Sequence, residues 1–205
     1  MVLAVVVLSG VLGPLFVAES ATLPEYDRVR VLVSARSIRD VELTNQEGEP
    51  FRLSDLQGRA ALVLFGFTNC PDVCPMAMER MRQLEASGRL DSDKVAYVMI
   101  SVDGERDTPA ALKAFLKGFS QRFIGLTAKP ALVKPIAKDF SAAFYKGNET
   151  SDGGEYSVLH SPQIFVIDPA GQLRAEFYSA SMEAMIGVTL ALLDEARIQS
   201  ESSSE

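Results

Sequence analysis

The stretch Ala60-Ala-Leu-Val-Leu-Phe-Gly-Phe-Thr-Asn-Cys-Pro-Asp-Val-Cys-Pro75 joins a continuous apolar run to two cysteines set among prolines. The run has the length of one strand and no polar alternation, the pattern of a central strand covered on both faces. Pro71 biases Cys70 towards extended backbone, and Pro75 has no N–H to give to a ladder or a helical turn. A helix is expected from about Met76 to Glu85, so both cysteines fall where a strand hands over to a helix, a position expected to expose them. N–H groups and the dipole at a helix start favour thiolate, which is both the nucleophile and the metal ligand. Residues one helical turn apart have Cα atoms about 6 Å from each other, inside the disulfide window of roughly 4.4–6.8 Å. The pair is therefore competent either to bind a metal or to form a disulfide.

Working outward, Lys94 to Val102 reads as a second central strand. Thr108 can cap and Pro109 can open a helix, in which Ala111, Leu112, Phe115, Leu116 and Phe119 fall at helical spacing. Phe123–Leu126 reads as a short strand, followed by a helix ending near Phe144 with Pro135 marking a late start or a kink. After a polar loop from Asn148 to Glu155 come three extended segments: Tyr156–Leu159, Gln163–Ile167 and Leu173–Phe177. The last two flank the turn Asp168–Gly171, and Ser181–Arg197 forms a closing amphipathic helix. On the N-terminal side, Val41–Leu43 and Phe51–Leu53 alternate around Asn45–Gly48 as a small hairpin. This order predicts an α/β domain of thioredoxin-like fold with an added N-terminal β-hairpin and an N-terminal membrane segment. The expected boundaries are a membrane anchor or signal segment at 1–20, a spacer at 21–37, the domain at 38–198 and a disordered tail at 199–205.

Composition narrows the function. A chain of 205 residues that is 47% hydrophobic can bury a core without disulfide staples. A formal charge of -7 excludes a nucleic-acid binder, which needs clustered Lys and Arg to replace phosphate counterions. Two cysteines are too few for a disulfide scaffold. Met1–Ala18 holds no charged side chain; as a helix it would cover roughly 27 Å against a hydrocarbon core of about 30 Å, so it reads as an anchor or a signal core. Either reading places the domain on the extracytoplasmic side of a membrane, periplasmic or in an intermembrane space.

The chain's only histidine, His160, ends an extended segment two residues before Pro162. In a thioredoxin-like arrangement a proline at that point, often cis, lies beside the cysteine loop. Two thiolates and an imidazole make a three-ligand set that Cu(I) accepts readily. Zinc would want a fourth protein ligand for a structural site, or a water for a catalytic one; no further Cys or His exists to complete a tetrahedron, although Asp or Glu could serve. Met76, Met78 and Met81 read first as packing residues, with a methionine relay for copper as the alternative.

Four blocks occur in order: Phe65-Gly-Phe-Thr-Asn-Cys-Pro-Asp-Val-Cys-Pro75, Ser101-Val-Asp-Gly-Glu-Arg-Asp-Thr-Pro109, Ile124-Gly-Leu-Thr127, and Leu159-His-Ser161 with Val166-Ile-Asp168. Together they resemble the Sco/SenC family over roughly Leu43 to Arg197. The resemblance implies a membrane-tethered copper chaperone that binds the ion through Cys70, Cys74 and His160. It further implies a role in assembling the CuA centre of cytochrome c oxidase, by copper delivery, by reduction of the target's cysteines, or both. The implied partners are the CuA-bearing subunit, other copper chaperones or thiol reductases, and the membrane through residues 1–18. Gly104 stands where the family usually has Pro, and Leu159 where it often has Asp, so a more mobile loop and an altered environment for His160 are expected. Asp103, Glu105, Arg106 and Asp107 read equally as a docking surface, as support for the site, or as a solvated turn capped by Asp107 or Thr108. The rival functions are a thiol–disulfide oxidoreductase or peroxidase and a copper-responsive redox sensor. Three residues between the cysteines, where thioredoxins place two, and the presence of His160 favour metal.

Overall fold

The computed structural model describes residues 28–149 and 156–202. The expected membrane segment and most of the polar loop before Tyr156 lie outside these residues. In chain order the elements are β1 (Arg28–Ser37), β2 (Leu43–Asn45), β3 (Pro50–Phe51), β4 (Ala60–Gly66), α1 (Val73–Ala86), β5 (Val95–Ser101) and α2 (Pro109–Leu116). There follow β6 (Ile124–Thr127), α3 (Pro130–Asp139), β7 (Phe144–Glu149), β8 (Tyr156–His160), β9 (Ile164–Ile167), β10 (Gln172–Ser179) and α4 (Met182–Ser202).

The eight-stranded sheet runs β1-β10-β9-β4-β5-β6-β2-β3, and β7 and β8 pair separately. Strand β4 lies parallel to β5 and antiparallel to β9, and every residue of β4 and β5 is buried. Their unbroken apolar runs are thus explained by cover on both faces. Phe65 packs edge-on against Phe140 at the end of α3 and against Phe165 of β9. Leu64 and Gly66 point to the other face, where Cys74 of α1 lies and where α4 also packs. Alternation along β4 therefore assigns α3 to one layer and α1 with α4 to the other.

Local chemistry sets most boundaries. Thr108 accepts a hydrogen bond from the Ala111 N–H at 3.2 Å, with Pro109 opening α2, as its sequence implies. The turn after β2 is held by Asn45 Oδ1, which accepts from the N–H groups of Glu47 and Glu49, and Gly48 takes φ +86°. Leu53, expected in that hairpin, belongs instead to a 3-10 turn over Leu53–Leu56.

Several expectations are corrected. Residues 28–37, read as spacer, form β1 along β10. Their side chains are exposed or half-buried with no regular period, because a bulge between Val31 and Arg36 interrupts the pairing, so no core face is written into the sequence. Helix α1 starts at Val73 rather than Met76, with Pro75 in its first turn, where a missing N–H costs nothing. Helix α3 starts at Pro130, carries Pro135 inside it and stops at Asp139, where Ser141 takes φ +59° and the Ala142 N–H caps the Ala137 carbonyl. The chain then enters β7, which the sequence did not reveal. Helix α4 continues through Ser202, into the stretch read as a disordered tail. No cis peptide bond occurs among the described residues, so Pro162 is trans.

Candidate metal centre

Three elements converge on one point. The turn after β4 delivers Cys70, whose N–H bonds the Phe67 carbonyl at 3.2 Å; the first turn of α1 delivers Cys74; the end of β8 delivers His160. Their ligand atoms all lie within 4.8 Å of one another. His160 Nε2 stands 3.1 Å from Cys74 Sγ and 3.8 Å from Cys70 Sγ. Its Nδ1 donates to the Ser161 carbonyl at 3.0 Å, so the Nε2 lone pair is the one turned towards the sulfurs. The three residues singled out from sequence are thus brought together, and the cysteines are free thiols.

The cysteines are not exposed as expected: Cys70 is 8% accessible and Cys74 fully buried. Gly66 is the reason for Cys74, because an added Cβ there would stand 2.9 Å from its Sγ. Burial pushes the Cys74 thiol up, outweighing the opposing influence of a hydrogen bond from Phe67. Desolvation thus defeats the helix-start preference for thiolate. Burial likewise pushes the His160 imidazole down, leaving it neutral and able to ligate. Soft sulfurs and a neutral imidazole fit a copper(I) ion, whose positive charge would replace the proton held by a buried thiol.

A cleft lined by Phe67, Cys70, Pro71, Arg106, Tyr156 and His160 opens this centre to solvent. Met78 and Met81 are fully buried in the core, as the packing reading expects, whereas Met76 is 61% exposed. Of the four charged residues in the loop only Glu105 is exposed, and Thr108 supplies the cap of the following helix. Asp103 and Asp107 are both buried. The Asp107 carboxylate accepts from the Thr68 N–H at 3.1 Å, the Thr68 hydroxyl at 2.6 Å and the Ser101 hydroxyl at 2.7 Å. Burial holds that carboxyl above its ordinary range, with the same hydrogen bonds acting against the shift. The loop at Gly104 is also packed close: a Cβ would come within 1.9 Å of the Ala128 carbonyl oxygen. Glycine therefore serves a close backbone approach there rather than mobility. Sequence reasoning passed over Tyr156, Phe67 and Gly66. Tyr156 was detectable, since it lies four residues before His160 and so shares its strand face.

Residues 33–192 match the SCO1/SenC family. A SCO2-like protein of Rickettsia felis is 35% identical over 139 residues, 68% of each chain. A putative copper-binding protein of Stutzerimonas stutzeri is 34% identical over 173 residues, 82% of this chain and 83% of its own. Bradyrhizobium japonicum ScoI with copper bound shares the fold with a TM-score of 0.66 at 33% identity, over 76% of this chain and 97% of that one. With its cysteine pair and histidine gathered at one end of a thioredoxin-like sheet, this chain belongs to the SCO1/SenC family.

Proposed function

We propose that the protein is a copper chaperone that holds the ion through Cys70, Cys74 and His160 and serves assembly of the CuA centre of cytochrome c oxidase. The observation that carries this reading is the orientation of His160: with Nδ1 committed to Ser161, its Nε2 faces both sulfurs at 3.1 and 3.8 Å. Copper is the cargo. Cys70, at the rim of the cleft, is the ligand an incoming thiol would meet first, while Cys74 and His160 hold the ion from behind. The same dithiol can prepare the destination. Cys70 thiolate attacks a disulfide of the CuA-bearing subunit to form a mixed disulfide, and Cys74 displaces it; this chain is oxidised to a disulfide and the target receives two thiols. The charge-free run Met1–Ala18 supports attachment of the domain to an extracytoplasmic membrane face. Among the described residues no helix is long and apolar enough to cross a membrane.

The test is copper content and affinity of the reduced protein beside Cys70→Ser, Cys74→Ser and His160→Ala. Wild type is expected to retain about one equivalent while each variant loses affinity by at least about tenfold. Retention of copper by His160→Ala at wild-type affinity would remove the histidine from the site. Copper-independent turnover of a general disulfide substrate would instead favour an oxidoreductase.

A further inference from the structure

We propose that Arg106 is a positioning residue that, with Asp103 and Tyr156, clamps β8 so that His160 faces the two thiols; the copper part of this inference rests on the function proposed above. The strand carrying His160 pairs with β7 and not with the main sheet. Cys70 and Cys74, by contrast, are set by β4 and α1. The distance between imidazole and thiols therefore depends on what joins β8 to the body of the domain.

That join is built from the loop after β5. Its base is fixed beside the cysteines, since Asp107 ties it to Thr68, two residues before Cys70. From this base Arg106 Nε donates to Asp103 Oδ2 at 2.5 Å and Nη1 donates to the Tyr156 carbonyl at 3.2 Å. The Tyr156 hydroxyl closes the ring by donating to Asp103 Oδ1 at 2.5 Å. The Arg106 guanidinium lies 3.8 Å over the Tyr156 ring centroid, where its buried Nη2, without a hydrogen-bond partner, gains cation–π attraction instead. Lys146 of β7 also lies over that ring, at 3.9 Å, and pairs with Glu105 at 2.9 Å. Tyr156, Val158 and His160 alternate onto one face of β8, so the clamp grips the strand about 13 Å from the ligand it carries. A second path is shorter: Arg106 lies 5.9 Å from the Phe67 ring centroid, and Phe67 meets the His160 ring edge-on at 5.7 Å.

Because His160 is the only histidine, its imidazole proton signals identify themselves in an NMR spectrum of the reduced, copper-free protein. At fixed pH the wild type should give one sharp set. Arg106→Gln and Tyr156→Phe should shift or broaden it, and Arg106→Lys, which keeps the charge over the ring, should fall between. Copper affinity, measured by competition with a chelator, should drop by about 10–100-fold in Arg106→Gln, the range for residues that orient a metal ligand. Tyr156→Phe removes one oxygen and decides the matter if Arg106→Gln fails to fold. Unchanged His160 signals in a folded variant would overturn the proposal, even if copper affinity fell. If the His160 signals respond but wild type binds no copper, the positioning role stands and the proposed function falls.

Discussion

Gly66 leaves the space that the Cys74 sulfur occupies, 2.9 Å from where a Cβ would stand. Gly66→Ala is therefore expected to displace a ligand as well as overpack the core. It should lower thermal stability by about 1–3 kcal/mol, and copper affinity measured on the same sample should fall at least about tenfold. The buried thiol also sets a pH dependence. Copper binding must displace the proton that burial keeps on Cys74, so apparent affinity should rise with pH, by up to about tenfold per unit for each proton released. The sign for the copper-free protein is opposite. A thiol whose folded pKa is raised contributes stability below its unfolded value of about 8.5 and loses it as pH rises beyond. Denaturation midpoints between pH 7 and 10 should consequently fall more steeply in wild type than in Cys74→Ala. His160, held low by burial, acts in the acid direction, with stability present above about pH 6.5 and lost as pH falls further. At this scale the sequence singled out Cys70 and Cys74 by placement and spacing and His160 chiefly through the family pattern, and the structure brings the three together. The sequence did not reveal their burial, because whether a helix start faces water or another strand's glycine is settled by residues distant in sequence.

Among elements, β1 carries the largest difference between expectation and structure. It covers one edge of β10, and Arg30 pairs with Glu176, a carboxylate 1% accessible that also accepts from Tyr178 at 2.8 Å. Arg30→Ala would leave that buried charge with one neutral partner, at a cost of about 1–3 kcal/mol. A chain beginning at Ile38 should melt lower than one beginning at Arg28, as followed by circular dichroism; equal melting would mean that β1 is a dispensable spacer after all. Strands β4 and β5 were legible because covered parallel strands must be apolar throughout. Strands β1 and β7 were not, because edge and two-stranded pairings place few residues in a core and so impose no strict alternation. Helix α3 was overextended for a related reason: its end depends on a left-handed residue at Ser141, a conformation that serine does not advertise.

For the molecule as a whole, copper should act as a ligand of the folded state alone, since the three donors come together only when β4, α1 and β8 are assembled. At a free copper concentration about a thousand times the dissociation constant, the stabilisation is about 4 kcal/mol. The melting temperature should rise on loading the reduced wild type and rise by less in Cys70→Ser, whose weaker affinity leaves a smaller stabilisation at the same copper concentration. By itself the sequence determined the thioredoxin-like order of strands and helices, since apolar periodicity and proline placement are local properties. It also offered the candidate donors, since thiolate and imidazole chemistry belongs to residue type, with the family pattern adding His160 to the cysteine pair. Only the tertiary structure decided that the thiols are buried, that Nε2 of His160 is the nitrogen facing them, and that Asp103, Arg106 and Tyr156 join the loop to the histidine strand. Those contacts link residues up to 90 positions apart, as between Cys70 and His160. Distances of that kind are fixed by packing, which no local pattern encodes.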